Sequence, residues 1–369
     1  MTFKNIFIEA NKDFNEKERT TLPKLNVEMY EATGLSKMQI DTMDETLQAA
    51  VGILEDHAEV LSAKPESIVI YHGNCADGFT AALAFWLKYG NTMEYYPGVY
   101  SEPPPDVEGK TVYLVDFSYK KEVVQEMLDK ANRIYFIDHH KTSIEDLKDL
   151  SDVTSVYYNE RFSAYTDLNR SGAMLAWDFI YNCKRNSFRI LAEMKTVHPE
   201  YREAPKLFHY VQDRDLWKKE LPWTDAFSAN LFSYEYYFVE WAGIMSDVEN
   251  MRGFTKFCEA GEAILRKQQK DITELLKVTE RLMFIGDHSV PCASMPYTLS
   301  SEAGHQMLTD DPSAVFAACY WDTATHRIFS LRSTGDRKDV SEIAKLYGGG
   351  GHRNAAGFRV PREHILARS

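Results

Sequence analysis

Arg133-Ile134-Tyr135-Phe136-Ile137-Asp138-His139-His140-Lys141-Thr142 is the stretch on which the fold turns. Aromatic and β-branched residues over 133–137 predict a buried strand, and the run stops abruptly at three polar side chains. Polar groups at the end of a buried strand need partners, so Asp138-His139-His140 reads as a working strand end. The same texture recurs upstream. Ser67–Tyr71 (SIVIY) and Thr111–Phe117 (TVYLVDF) are strand candidates, and Val153–Tyr158 is a further one downstream. Helical patterns follow them at Thr80–Lys88, Lys121–Ala131, Ser143–Asp149 and Ser171–Tyr181. Strands alternating with helices predict an α/β fold with a mostly parallel sheet, whose ligands sit at the carboxyl ends of the strands.

Further along, Phe254–Lys277 reads as one long connecting helix. Strand patterns then return at Glu280–Ile285, Ser289–Ser294, Ala314–Trp321 and Arg327–Arg332, and a helix at Val340–Leu346 leads into four glycines. This predicts a second, smaller α/β domain. The expected organisation is a helical N-terminal extension over 1–65, a first domain over 66–225, a connecting region over 226–278 and a second domain over 279–369. Met38–Leu61 carries apolar residues at helical spacing and reads as an amphipathic cap.

The chain has 369 residues, 44% of them hydrophobic, enough for a sizeable core. Its longest strongly apolar run, Ala81–Leu87, is too short for a membrane span of about 20 residues. The N-terminus lacks a long apolar segment, so a signal peptide is not expected and a cytoplasmic setting is. Five cysteines, far apart and without a CxxC, fit free thiols in a reducing compartment. Lys and Arg number 42 against 55 Asp and Glu, a formal charge of −13. That charge disfavours duplex nucleic acid and membrane surfaces, and favours a small phosphorylated ligand together with divalent cations.

The candidate strand ends carry the chemistry. The first is followed by His72-Gly73-Asn74-Cys75-Ala76-Asp77, the second holds Asp116, and the third ends in Asp138, His139 and His140. Val211-Gln212-Asp213-Arg214-Asp215 adds two more carboxylates. Carboxylates and imidazoles gathered in one crevice call for a cation between them. Mixed Asp/His donors suit one or two Mn²⁺ ions, with Mg²⁺, Co²⁺ or Zn²⁺ as alternatives. Near the C-terminus stands Gly348-Gly349-Gly350-Gly351-His352-Arg353-Asn354. Glycine amides approach anions closely, and His352, Arg353 and Asn354 supply donors. Arg332-Ser333, at a strand end, offers a further phosphate contact.

Two ordered motifs, Asp138-His139-His140 and Gly348–His352 followed by Ala355-Ala356-Gly357-Phe358, make the chain resemble the DHH–DHHA1 phosphoesterases. These include nanoRNases, cyclic-dinucleotide phosphodiesterases and RecJ-type exonucleases. The resemblance runs from about Ser67 to Val360. It implies a phosphodiester hydrolase using metal-activated water, acting on short oligonucleotides or cyclic nucleotides. Carried onto this chain, it implies that Asp116 bridges two ions. Asp77, His139 and Asp215 complete one of them, with Asp213 as runner-up to Asp215, and His72 serves the other. His140 lies close by, Asp138 orients a ligand histidine, and Arg332, Ser333, Gly349, Gly350, Gly351, His352, Arg353 and Asn354 hold substrate. One departure stands out, because the family's first motif usually has an Asp where this chain has Cys75. A thiolate ligand, a weakly held ion and a merely packed thiol all remain open, as does a homodimer. The competing readings are a RecJ-like single-strand exonuclease, for which the aromatic stretch Phe227–Trp241 would stack bases, and a non-catalytic nucleotide sensor.

Overall fold

The computed structural model describes residues 66–100, 102–182 and 202–368. The expected N-terminal helical extension, with Met38–Leu61, lies outside them. So does Cys183.

The first sheet is five-stranded and wholly parallel, in the order β2-β1-β3-β4-β5. Its strands are β1 Ser67–His72, β2 Glu94–Gly98, β3 Thr111–Val115, β4 Arg133–Asp138 and β5 Phe162–Thr166. Isoleucine, valine and leucine dominate the three inner strands, β1, β3 and β4, as expected when both faces are covered. One face packs on the helices Ala76–Tyr89 and Gly172–Trp177. The other packs on Val124, Met127, Leu128, Leu147 and Leu150 from the helices Lys121–Lys130 and Lys141–Ser151. A 29-residue helix, Met251–Thr279, then runs to a six-stranded sheet ordered β10-β11-β9-β8-β7-β6. These strands are β6 Arg281–Ile285, β7 His288–Ser294, β8 Ala317–Asp322, β9 His326–Arg332, β10 Gly350–Gly351 and β11 Ala355–Pro361.

One expected strand is not formed and one strand was not expected. Val153–Tyr158 is not a strand. Asp152 accepts from the Thr154 amide and hydroxyl, Ser155 accepts from the Tyr157 amide, and Val156 is 93% exposed. The strand lies instead at Phe162–Thr166, paired with β4. Local side-chain capping of amides outcompetes the ladder that the β-branched composition suggests. Strand β2 was not foreseen because Pro97 interrupts it, and its edge position tolerates the missing donor. The aromatic stretch 227–241 is divided. Phe227 and Trp241 are fully buried and Phe238 stacks on Phe79 at 4.7 Å, so these rings hold the core and cannot receive bases.

Candidate metal centre and substrate cleft

Register brings the strand ends level. Tyr71 pairs with Val115 and Val115 with Ile137, so His72, Asp116 and Asp138 come next in line on three adjacent strands. Neighbouring parallel strands lie about 4.8 Å apart, which lets their terminal side chains converge. Asp116 leaves β3 with a left-handed φ of 54°, turning its carboxylate into the crevice at 1% exposure. Gly172 makes room for it, since a Cβ there would lie 2.5 Å from the Asp116 Cβ and 2.7 Å from Oδ1.

The two oxygens of Asp116 face different groups. Oδ1 lies 3.1 Å from His139 Nε2, which also stands 3.5 Å from Asp77 Oδ2 and 3.6 Å from Asp215 Oδ2. Oδ2 lies 3.6 Å from His72 Nδ1 and 3.8 Å from Cys75 Sγ. Ligand atoms around a divalent ion at about 2.0–2.2 Å are separated by roughly 3.0–3.5 Å, and a little more where one is sulfur, so these contacts lie within a few tenths of an ångström of coordination spacing. His72 Nδ1 and His139 Nδ1 are buried without a hydrogen-bond partner. The donors fit a pair of divalent cations sharing Asp116.

The electrostatics point the same way. Burial opposes ionisation of Asp116, but the imidazoles of His139 and His72 beside its two oxygens hold it well below the ordinary carboxylate range. Asp77 is pushed well above that range by burial and by the charges of Asp116 and Asp215. Burial also raises Asp215, against the pull of His139. Burial lowers His139, yet Asp215 and Asp116 outweigh it and hold the imidazole well above its usual value. Protons thus do the work of a positive charge, the signature of carboxylates arranged around a cation.

Asp77 is itself held by the amides of Gly172 and Ala173, at 2.6 and 3.0 Å. Asp138 is fully buried and stands with Asp116, His139 and His140 in a further group of donor atoms within 4.8 Å of one another. Its Oδ1 accepts from the amides of His139 and His140 and faces His140 Nδ1 at 2.7 Å. That contact fixes the His140 ring and leaves its Nε2 free. Asp213 is placed elsewhere. It accepts from the amides of Glu220 and Leu221 and from the Thr224 hydroxyl, closing a turn.

The second sheet supplies the other wall. The His352 ring lies 4.5 Å from His139 and 4.4 Å from His140, nearly parallel to the latter. Burial and the two neighbouring imidazoles push His352 well below its usual value, so it is neutral. The glycine loop departs from the anion cradle expected of it. The amides of Gly348, Gly349 and His352 donate to Lys345, Ala344 and Ala355, and that of Gly351 donates to Thr142 Oγ1. The glycines instead permit close packing. A Cβ at 349 would meet the Gly357 carbonyl at 2.1 Å, and one at 350 would meet Thr142 Oγ1 at 2.7 Å. Arg332 is partly buried and donates to Ser330, Leu331 and Ser301. Ser333 is buried, with its hydroxyl unpartnered. Arg353 and Asn354 are exposed, Arg353 donating to the Arg337 carbonyl.

The walls are joined by Lys141–Asp339 at 2.9 Å, Lys345–Glu145 at 2.6 Å and the pair Arg214–Glu302. Sequence reasoning missed the stack of Trp217 on His305, centroids 3.9 Å apart, with Arg214 and Lys219 over the indole. No local pattern signals a contact between residues so far apart in the chain. Burial and the charges of Arg332, Lys219 and Arg214 push His305 from 6.5 down to about 3. The unfolded chain takes up this proton near 6.5 and the folded chain only near 3. The stabilisation is therefore complete above 6.5 and is lost as pH falls through that window. His305→Gln should flatten the fall in melting temperature between about pH 7 and pH 5. Thermal scans of both proteins across that range check this, and parallel profiles would refute it.

No protein-family model matches the chain. Over 314 residues it is 26% identical to an uncharacterized protein of Acanthamoeba polyphaga mimivirus, covering 79% of this chain and 66% of that protein. Over 112 residues it is 33% identical to the oligoribonuclease NrnB of Bacillus subtilis, covering 29% of this chain and 27% of that enzyme. The matches thus span about two thirds of the first relative and a quarter of the second. Among solved structures, the DHH domain of a member of a family of ribosomal proteins aligns with a TM-score of 0.49 and 14% identity, covering 89% of each chain. Among the described residues, no helix is long and apolar enough to cross a membrane.

Proposed function

We propose that the chain is a metal-dependent phosphodiesterase hydrolysing short oligonucleotides or cyclic (di)nucleotides. The observation that carries this reading is Asp116, a buried ionised carboxylate with one oxygen on each of two donor clusters. Mn²⁺ suits the mixed Asp/His donors, with Mg²⁺, Co²⁺ or Zn²⁺ as alternatives. Bound there, the ions would supply hydroxide near neutral pH and neutralise charge on the phosphoryl oxygens. The rest falls to the chain's own residues. Asp77, His139, Asp215 and Asp116 Oδ1 hold one position, and His72 and Asp116 Oδ2 the other. Asp138 orients His140 through Nδ1, and the other ring nitrogen of His140, whose ring stacks on His352, is the donor we assign to a phosphate oxygen. Arg332, at the end of β9, and Ser333 just beyond it, whose hydroxyl is unpartnered, are assigned to the remainder of a nucleotide. The formal charge of −13 argues for short substrates, because a long polyanion would be repelled. The similarity to an oligoribonuclease supports the same class.

The test is hydrolysis by metal-stripped protein after Mn²⁺ is restored. The panel holds a dinucleotide, a longer single strand, cyclic mononucleotides and cyclic dinucleotides, with products separated by chromatography. Mn²⁺-dependent cleavage of the short species is expected. Preference for the long strand would favour an exonuclease, and binding without cleavage would favour a sensor. His352→Ala should raise KM by about tenfold, the loss of one buried polar contact, while metal content stays unchanged. Lost metal in that variant would place His352 among the ligands instead.

A further inference from the structure

We infer that the two cation positions are chemically unequal, and that His72 Nδ1, Cys75 Sγ and Asp116 Oδ2 form a thiolate-containing position selective for a soft ion such as Zn²⁺. The inference deepens the proposed metal centre and rests on it. These three donor atoms lie within 4.8 Å of one another. The Asp116 oxygen stands 3.6 Å from the imidazole nitrogen and 3.8 Å from the sulfur. A tetrahedral Zn²⁺ with Zn–N and Zn–O of about 2.0–2.2 Å and Zn–S of about 2.3 Å separates such pairs by roughly 3.4 and 3.6 Å. The Asp116 oxygen therefore stands within a few tenths of an ångström of coordination spacing from both the nitrogen and the sulfur. His72 Nδ1 is buried and has no hydrogen-bond partner. Cys75 occupies the N-cap position of the helix Ala76–Tyr89, and burial with the charges of Asp116, Asp215 and Asp77 pushes its thiol well up, so that the proton leaves only in exchange for a cation.

The other position differs in kind. Asp77, Asp215, Asp116 Oδ1 and His139 give three oxygens and one nitrogen, a hard set suited to Mn²⁺ or Mg²⁺. An N, S, O set suits Zn²⁺ or Co²⁺ and is poor for Mn²⁺. Binding at the softer position exchanges the Cys75 S–H bond for a sulfur–metal bond and releases the proton to solvent. The centre should therefore hold a mixed pair.

Metal-stripped protein titrated with Co²⁺ and followed by absorption spectroscopy tests this directly. Wild type is expected to show an intense thiolate-to-cobalt charge-transfer band in the near ultraviolet. One equivalent of Zn²⁺ should abolish it, and excess Mn²⁺ should not. Cys75→Ser should lose the band and bind one ion fewer. Its Zn²⁺ affinity at that position should fall by more than the roughly 10–100-fold that loss of an outer-shell partner costs. Cys75→Asp should lose the band and take two Mn²⁺ ions where wild type takes one tightly. Ion binding without the band would overturn the inference and leave the metal centre standing. A band that persists in Cys75→Ser would place the thiolate elsewhere and also overturn it. Failure of wild type to bind any ion would overturn the metal centre and this inference together.

Discussion

Asp116→Asn should reduce turnover by about 10³-fold or more, the largest effect of any single substitution in the centre. The replacement is close to isosteric, and asparagine tolerates the left-handed backbone found there, so folding should survive. What disappears is the negative charge shared by both clusters. Each would then lose the anion that faces its imidazole at 3.1 or 3.6 Å. Calorimetric titration with Mn²⁺ and Zn²⁺, alongside single-turnover hydrolysis, checks the expectation. Turnover within tenfold of wild type would defeat the bridging role.

A second large effect is expected from a residue with no functional group. Gly172→Ala should weaken ion binding about 10–100-fold, as loss of a supporting partner does, and lower turnover comparably. The added methyl would sit 2.5 Å from the Asp116 Cβ, and the Gly172 amide also donates to Asp77. Relieving that clash moves two ligand carboxylates at once. Overpacking should further cost about 1–3 kcal/mol of stability. Gly243→Ala serves as the control, because a Cβ there meets nothing within 4 Å. If Gly172→Ala bound ions like wild type, the close approach would be without consequence for the centre.

Much of the fold was legible because β1, β3 and β4 are buried on both faces and read as unbroken apolar runs ending in polar residues. The ends mattered most. His72, Asp116 and Asp138 are the first residues beyond each apolar run, and parallel register places them level. Asp213 and Asp215 were harder to separate, since residues two apart on a helix point to different sides and composition does not say which side meets the sheet. The structure places Asp215 by His139 and spends Asp213 on turn amides. The four glycines signalled a special backbone but not its purpose, because close packing and anion binding demand the same absence of a Cβ. The Trp217–His305 stack and the Lys141–Asp339 and Lys345–Glu145 pairs have no local sequence signal, being products of tertiary proximity alone.

The left-handed turn at Asp116 carries a thermodynamic cost. A non-glycine residue in that conformation is disfavoured by about 1–2 kcal/mol, and the crowding of Asp77 and Asp215 around it adds repulsion. Glycine at 116 would relax both penalties. A variant with glycine there is therefore expected to be sturdier while lacking the carboxylate shared by the two clusters. Placing a carboxylate in that turn thus costs the fold stability that a glycine would return.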